Sequence, residues 1–430
     1  MNVQEIIKNI EERDVKRKSF SLDRMRKMLE LLGNPQKGLK SIHVAGTNGK
    51  GSTSNFIYNM LLKAGYNVGI TISPHIERYN ERIVVSNEEI SDNDFKRLGE
   101  KVLEEEKSII EDYEKLTYFE FITSIAFLYF KEKNCDLCVL EVGMGGLSDS
   151  TNVIESEDKL LAIITPVSFD HMAFLGNTLT EIASQKAGII TKGTTVISSN
   201  KDSDVVKVLR EKSLEEEADF YDLDDIEILD LKIDDAKSSY SIKFKSQIIK
   251  DIKVNLIGYY QVYNSAIAIA GLMELRNKGK IKISDSEIRF GIAATKWPGR
   301  MELISKNPRI LLDGAHNYDG IKNLAENLKL FSYDKLYLIS SILSDKEHKK
   351  MLEILSSYSN DIILLDLDNK RKTDMSILKE EAKNYFNNVE VSSNLVGAIE
   401  KLKARAGKKD LVVITGSLYM VSEVKKIMDI

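Results

Sequence analysis

Cysteine is almost missing from this chain, with two in 430 residues. Two cannot build a disulfide framework, and a chain of this length does not need one. The pair, Cys135 and Cys138, forms a CxxC, but CDLCVL reads as a buried strand. A redox CxxC normally opens a helix, and a zinc site needs a second ligand pair. Neither accompanies it, so two ordinary core cysteines in a reducing cytoplasm are expected. An excess of basic charge is missing as well. Sixty-one Lys plus Arg stand against 66 Asp plus Glu, a net charge of −5, which argues against a chain whose main work is gripping a nucleic-acid backbone. No apolar run approaches the ~20 residues that span a bilayer, and pieces such as IAFLYF (125–130) are of core length. The opening MNVQEIIKNIEERDVKRKSF is charged throughout, unlike a secretory signal. No repeat and no low-complexity tract interrupts the chain.

What is present fits a soluble globular protein: 43% of residues are hydrophobic and 30% charged. At roughly 100–200 residues per domain, two or three domains are expected. Short apolar runs alternate with longer amphipathic stretches. SIHVAG (41–46), YNVGITIS (66–73), DLCVLEVG (136–143), KLLAIITPVS (159–168) and TTVISS (194–199) read as strands. STSNFIYNMLLKAG (52–65) and TYFEFITSIAFLYFKEKN (117–134) read as helices. This rhythm implies an α/β fold, a mostly parallel sheet with helices on both faces. Residues from about 222 to 257 break it with nearly alternating segments, expected as a small antiparallel sheet. The polar run EEEKSIIEDYEK (104–115) reads as a solvated helix face. After the helix QVYNSAIAIAGLMELRNKG, the turn WPGR carries the single Trp, and a new alternation of strands follows in RILL, KLYLISSI, DIILLDL and DLVVITGS. The expected division is 1–295, a nucleotide-binding domain, and 296–430, a smaller α/β C-terminal domain.

The strongest local feature is GTNGKGS, Gly46 to Ser52, between a predicted strand and a predicted helix. Phosphate binding needs backbone N–H groups at a helix N-terminus, glycines that admit the backbone, and a lysine ammonium. Gly46, Gly49 and Gly51 supply the glycines, Lys50 the charge, and Ser52 or Thr53 a hydroxyl for Mg²⁺. The spacing departs from GxxxxGK[ST], because Lys50 precedes Gly51. Ser73, Glu141 and His171 each follow a predicted strand, where open α/β sheets hold ligands. Oxygen donors with one imidazole suit Mg²⁺ or Mn²⁺ better than zinc. In TISPHIERYNERI, Ser73, Pro74, His75, Arg78 and Arg82 are packed closely. Lys186, in QKAGII, taken alone reads as a solvated helix lysine. Gln261 and Asn264 share a helix face. DGAHN gathers Asp313, His316 and Asn317 at another strand end, and Arg300 after the Pro-Gly turn is placed to reach an ATP phosphate. His43, in a strand, and His348, in an exposed charged segment, are assigned to structure.

Taken in order, GTNGKGS, SPHIERYNERI, TYFEF, EVGMGG…DSTN, DH…KAGII, GYYQ..N, WPGRME and DGAHN resemble the folylpolyglutamate synthase/dihydrofolate synthase family of the Mur ligase superfamily. The resemblance is dense from about 20 to 320, thins over 195–255, and returns as SDK (344–346) and TGSLYMVSEV (415–424). It implies an ATP-dependent ligase that adds L-glutamate to a folate, or to dihydropteroate, through an acyl phosphate. By the same resemblance, Gly46, Thr47, Asn48, Gly49, Lys50, Gly51, Ser52, Asn264, Arg300 and Asp313 would hold ATP. Ser73, Glu141 and His171 would hold Mg²⁺, with two metal sites implied and room for a monovalent cation. Lys186 matches a lysine that the family carries carbamylated. Lys50, Lys186 and His316 would serve the chemistry, and Asp23 (in SLD, 21–23), Arg82, Thr117 and Asp149 the substrate. The family usually has Arg where Leu147 stands and Glu where Gln185 stands. The first change removes a cation and a donor fork; the second removes one negative charge at similar size. The partners implied are small molecules, with no nucleic acid and no membrane, and the chain is expected as a cytoplasmic monomer.

Two rival readings are weighed against this one. A peptidoglycan-type Mur ligase would carry a UDP-binding domain before the phosphate loop, and 45 residues before Gly46 are few for a compact domain. A P-loop switch whose output is conformational would have no need for Arg300 and the DGAHN loop.

Overall fold

The computed structural model describes residues 2–13, 21–368 and 371–428. The apolar runs become strands of two main sheets. The first contains β1 (Ser41–Ala45), β2 (Val68–Thr71), β3 (Ile83–Val85), β4 (Glu88–Glu89), β5 (Leu137–Glu141), β6 (Lys159–Ile164), β7 (Thr195–Ser198) and β8 (Asp219–Tyr221). Their order is β4-β3-β2-β5-β1-β6-β7-β8. From β2 to β8 all neighbours are parallel, while β3 and β4 extend one edge antiparallel. The strands β1 and β5 are buried along their whole length, as expected of a parallel sheet covered on both faces. A small three-stranded sheet follows, β9 (Ile226–Ile233), β10 (Ser238–Phe244) and β11 (Gln247–Val254), in the order β11-β10-β9. It accounts for the broken rhythm in the sequence.

The last sheet contains β12 (Glu302–Lys306), β13 (Arg309–Leu312), β14 (Leu336–Ser340), β15 (Asp361–Leu365), β16 (Asn388–Ser392) and β17 (Leu411–Thr415). The order is β12-β13-β17-β14-β15-β16, parallel except for β12 on β13. Compactness separates two units. One contains Met1–Leu231, Tyr240–Lys253 and Tyr263–Thr295; the other Lys232–Ser239, Val254–Val262 and Lys296–Ile430. Each has its own apolar core, built on Phe95, Phe121, Phe127 and Phe130 in the first and on Leu311, Leu338, Leu364 and Val413 in the second. Among the described residues no helix is long and apolar enough to cross a membrane.

Several sequence expectations need correction. The run 104–115 is not one helix face: the helix Asp92–Glu106 stops at its third residue and turns follow. Nor is it all solvated. Glu106 is buried, and both its oxygens accept from the Arg13 guanidinium at 2.6 and 2.8 Å. His348 opens the helix His348–Ser356 and is half-buried, its Nε2 3.1 Å from the Leu343 carbonyl. Of the two cysteines only Cys138 lies in a strand, and burial pushes its thiol up; Cys135 precedes the strand and is half-buried.

Candidate active site

In the first unit, β1 sits between β5 and β6, so the loops leaving their C-terminal ends are neighbours. The loop after β1 is the glycine-rich one. Gly49 caps the helix Lys50–Lys63 with φ +89°, and a Cβ there would lie 2.7 Å from Asn264 Oδ1. Only glycine relieves both the left-handed backbone and that contact. Asn264, on the helix Tyr259–Asn277, therefore lies directly on the loop. Thr47 is bound into the architecture: its N–H donates to the Pro166 carbonyl at 2.9 Å and its hydroxyl to the Ser168 carbonyl at 3.0 Å. Lys50 Nζ bonds the carbonyls of Gly46 and Thr47, each at 3.1 Å. Ser52 is buried in the first turn of the helix. Gly51 follows Lys50 in that turn, and Asn48 precedes it in the loop.

A second amine reaches the same carbonyl. Lys186 lies near the end of the helix Leu179–Ala187, is 3% exposed, and donates to the Gly46 carbonyl at 2.8 Å. Its solvated-helix reading is overturned. Burial, with Lys50 nearby, brings its ammonium down to about 7, while Asp170 and Asp149 pull the other way. Lys186 is thus poised to be a neutral, nucleophilic amine near pH 7.

β5 ends at Glu141, and the loop after it carries Asp149. Glu141 is buried, and its Oε2 accepts from the backbone N–H of Ser73 at 2.9 Å, which brings two of the three proposed metal ligands together. His171 is on the loop after β6, in left-handed backbone (φ 50°) and exposed, 4.0 Å from Asp170. Among the described residues no three His, Cys, Asp or Glu side chains gather as a metal cluster. Asp149 spends its carboxylate on its own loop. Oδ2 accepts from Met144 N at 3.0 Å, and Oδ1 from Thr151 N at 3.0 Å and the Thr151 hydroxyl at 2.6 Å. Since that hydroxyl donates to Asp149, it accepts from His43 Nε2 at 2.7 Å. His43 is buried in β1 and held neutral by burial and by Lys159. Leu147 is exposed, its N–H donating to the Gln185 carbonyl at 2.7 Å.

The other substrate candidates lie in the same unit. Thr117 caps the helix Tyr118–Glu132 in a reciprocal box with Glu120, and Glu120 also binds Arg24 at 2.8 Å. Asp23 is exposed at the start of the helix Asp23–Leu31, bonded to the Ser21 hydroxyl. Arg82 is 6% exposed, and its Nε donates to His75 Nδ1 at 2.8 Å.

In the second unit, β17 lies between β13 and β14, and the DGAHN loop leaves β13 beside them. Asp313 is buried; its oxygens accept from Met301 N at 2.9 Å and Ala315 N at 2.8 Å. Burial raises its carboxyl, opposed by Arg300 and by those two amides. The turn before β12 is stitched to this loop, with Gly314 N on the Gly299 carbonyl at 2.8 Å. His316 Nδ1 donates to the Gly314 carbonyl at 2.8 Å.

Both parts of the chain match known proteins. The Mur ligase middle domain matches residues 44–272, and the Mur ligase glutamate ligase domain matches 299–418. The dihydrofolate synthase/folylpolyglutamate synthase of Bacillus subtilis is 36% identical over 409 residues, 94% of either chain. The chain belongs to the folylpolyglutamate synthase/dihydrofolate synthase family. The folylpolyglutamate synthase of Lacticaseibacillus casei is 34% identical over 93% of this chain and 92% of its own. Among solved structures, the Mycobacterium tuberculosis folylpolyglutamate synthase complexed with ADP has a TM-score of 0.91 at 27% identity, covering 99% of this chain and 98% of that one. An FPGS-AMPPCP-folate complex has a TM-score of 0.87 at 34% identity, covering both chains fully. The fold of this family, a mostly parallel α/β sheet, a small antiparallel sheet and a second α/β domain, is the fold expected from the sequence.

Family motifs located most of these residues. They did not disclose the partner that holds Arg82, the tie from Asp149 through Thr151 to His43, or Lys159. That buried lysine is brought down to about 7 by burial and bonds Asn152 Oδ1 at 2.8 Å and the Ile189 carbonyl at 2.9 Å. No spacing rule announces such contacts, because each joins residues from separate elements.

Proposed function

We propose that this chain is an ATP-dependent ligase that joins L-glutamate to a folate acceptor, and to dihydropteroate, through an acyl phosphate. Residues 1–295 act as the ATP-binding domain and 296–430 as the glutamate-ligase domain of a cytoplasmic monomer. The observation that carries the reading is Lys186, a buried amine from a separate helix set on the phosphate-loop carbonyl of Gly46. A nucleotide switch has no use for it; a ligase that must manage charge around a γ-phosphate does.

In the first step an oxygen of the acceptor carboxylate attacks the γ-phosphorus and ADP departs. Lys50 and the N–H groups opening its helix neutralise charge on the phosphates, with Gly46 to Ser52, Asn264, Arg300 and Asp313 holding the nucleotide. In the second, the glutamate nitrogen attacks the acyl carbon, phosphate leaves, and the nitrogen loses its proton. His316, in the DGAHN loop, is suited to serve this step. Oxygens of Ser73 and Glu141 with the His171 imidazole suit Mg²⁺ chemically; when bound, the ion would screen charge on the transferring phosphoryl group. The neutral form of Lys186 can add carbon dioxide, releasing a proton and replacing an ammonium by a carbamate. Asp23, Arg82, Thr117 and Asp149 line or brace the acceptor site.

The test is ADP release with Mg²⁺ and ATP, with L-glutamate plus tetrahydrofolate in one assay and L-glutamate plus dihydropteroate in another. Turnover that requires both glutamate and a pterin acceptor is expected. Turnover indifferent to both would overturn the reading.

A further inference from the structure

The loops after β1 and β6 approach so closely that a Cβ on Gly46 would run into Thr165 Oγ1. Past the strand ends, the backbone pairing between them runs out for a definite reason. Pro166 has no N–H to give, and the Val167 N–H is turned to Asn200 Oδ1 at 2.7 Å. A side chain takes over at the next residue. The Thr47 hydroxyl donates to the Ser168 carbonyl and accepts from the Ser168 N–H, both at 3.0 Å. It thus meets both backbone groups of one residue, as a neighbouring strand would. A hydroxyl has one proton and two lone pairs, so one lone pair is all it has left for a nucleotide. The Thr47 carbonyl meanwhile accepts from Lys50 Nζ at 3.1 Å.

Three residues past Ser168 stands His171, whose φ of 50° is uncommon for a residue other than glycine. Such backbone persists only where its surroundings hold it. Downstream, the His171 carbonyl accepts from Phe174 N and Leu175 N at 2.9 and 3.0 Å. Its own N–H donates to Asp170 Oδ1 at 2.9 Å, within the loop. Upstream, the Thr47 hydroxyl anchors the loop to another element.

We propose that Thr47 is a positioning residue, whose hydroxyl ties the loop of Asp170 and His171 to the glycine-rich loop and sets where the imidazole meets a divalent ion. This rests on the ligase reading above for the ion, and it takes the Thr47 side chain away from the nucleotide. Through its carbonyl the same residue holds Lys50, so one threonine aligns the loop's lysine with the His171 segment.

The experiment reads Mn²⁺ binding to the full chain saturated with ADP, by electron paramagnetic resonance, beside ADP binding in EDTA by calorimetry. Thr47→Val keeps the shape and removes both bonds. It is expected to weaken Mn²⁺ binding roughly tenfold, with metal-free ADP binding within about twofold of wild type. Thr47→Ser keeps the hydroxyl and is expected to restore most of the Mn²⁺ affinity. Linkage adds a test on the wild type, which holds whether or not a variant folds. What the bond gives the ion, the ion must give the bond, so Mn²⁺ added to the ADP complex is expected to slow hydrogen exchange at the Ser168 amide roughly tenfold. Metal-free ADP binding that falls in Thr47→Val would return the hydroxyl to the nucleotide and overturn the proposal. So would unchanged Mn²⁺ binding in that variant, a loss that Thr47→Ser does not repair, or a Ser168 amide indifferent to the ion. A wild type that binds no Mn²⁺ would overturn it too, and one that binds no ADP would overturn the ligase reading with it. Ligation that fails while both bind would count against the ligase reading alone.

Discussion

Arg13 and Lys186 are cations removed from water in the same compact unit, and their surroundings differ in one respect. Arg13 lies over the Phe121 ring, gives two bonds to Glu106, and adds the Leu116 carbonyl and Asn9. Lys186 has one carbonyl, that of Gly46, and no carboxylate within ion-pair distance among the described residues. Arg13 ties an N-terminal helix to the end of the helix Asp92–Glu106 and is spent on the fold. Lys186 is held in a costly state beside the glycine-rich loop. Where a buried charge is fully matched, the structure explains it; where it is not, the reason lies in chemistry.

The largest effect that would sharpen this contrast comes from Lys50, the other amine on Gly46. Lys50→Ala is expected to lower ligation by about 10³ or more while the melting temperature moves by no more than about 2 °C, read by ADP release and thermal denaturation. Near-normal ligation would remove the phosphate-loop assignment.

Arg13→Met tests the matched side. It leaves Glu106 buried and unpaired, so a loss of about 3–5 kcal/mol is expected in urea unfolding, with turnover well below the melting temperature nearly unchanged. A loss below about 1 kcal/mol would mean that the carboxylate finds other partners, and the contrast would fail.

Lys186→Met tests the unmatched side, with the opposite sign. Removing a buried amine that lacks a counter-ion is expected to stabilise the fold by about 1–3 kcal/mol at pH 7, while ligation is lost. Lys186→Ala should recover part of that ligation with short carboxylic acids if a carbamate is the active form. The pH dependence follows from a folded value near 7 against an ordinary lysine value near 10.4. Between them the unfolded chain binds the extra proton, so wild-type stability rises with pH across that window in carbon dioxide-free buffer. Lys186→Met should lose part of this rise. An unaltered slope would place Lys186 in water.

Such differences explain what the sequence disclosed. Strand and helix positions were legible because β1, β5 and β17 are apolar runs between polar stretches. The glycine-rich loop between a strand and a helix was legible because glycine, lysine and helix start lie within seven residues. Lys186 was placed by a family motif, yet its burial was hidden, since QKAGII by itself has the look of a helix end in water. The Arg13–Glu106 pair joins residues 93 apart, and 104–115 therefore read as solvated. His75 and Arg82 stand in one motif, but their bond depends on how Glu81 folds the turn between them.

The smallest expected effect belongs to Lys159, which lies between the two extremes. Like Lys186 it is buried and brought down to about 7, with the charge of Glu216 opposing burial. Unlike Lys186 it has two well-placed acceptors, Asn152 Oδ1 and the Ile189 carbonyl. Asn152 in turn donates to the carbonyls of Leu147 and Gly188 at 3.1 and 2.9 Å, so the amine joins the loop that holds Asp149 to the helix end that holds Lys186. A neutral amine can donate both bonds, and near pH 7 it need not carry charge to do so. Lys159→Met would remove the cost of burying an amine and leave one buried and one half-buried acceptor short of a donor. These terms oppose each other at about 1–3 kcal/mol each, and a net change within about 1 kcal/mol is expected in urea unfolding. The part of the wild-type pH slope that survives in Lys186→Met should change further in the double variant, in the same direction. A single Lys159→Met that stabilised the fold as much as Lys186→Met would show that its two acceptors count for nothing.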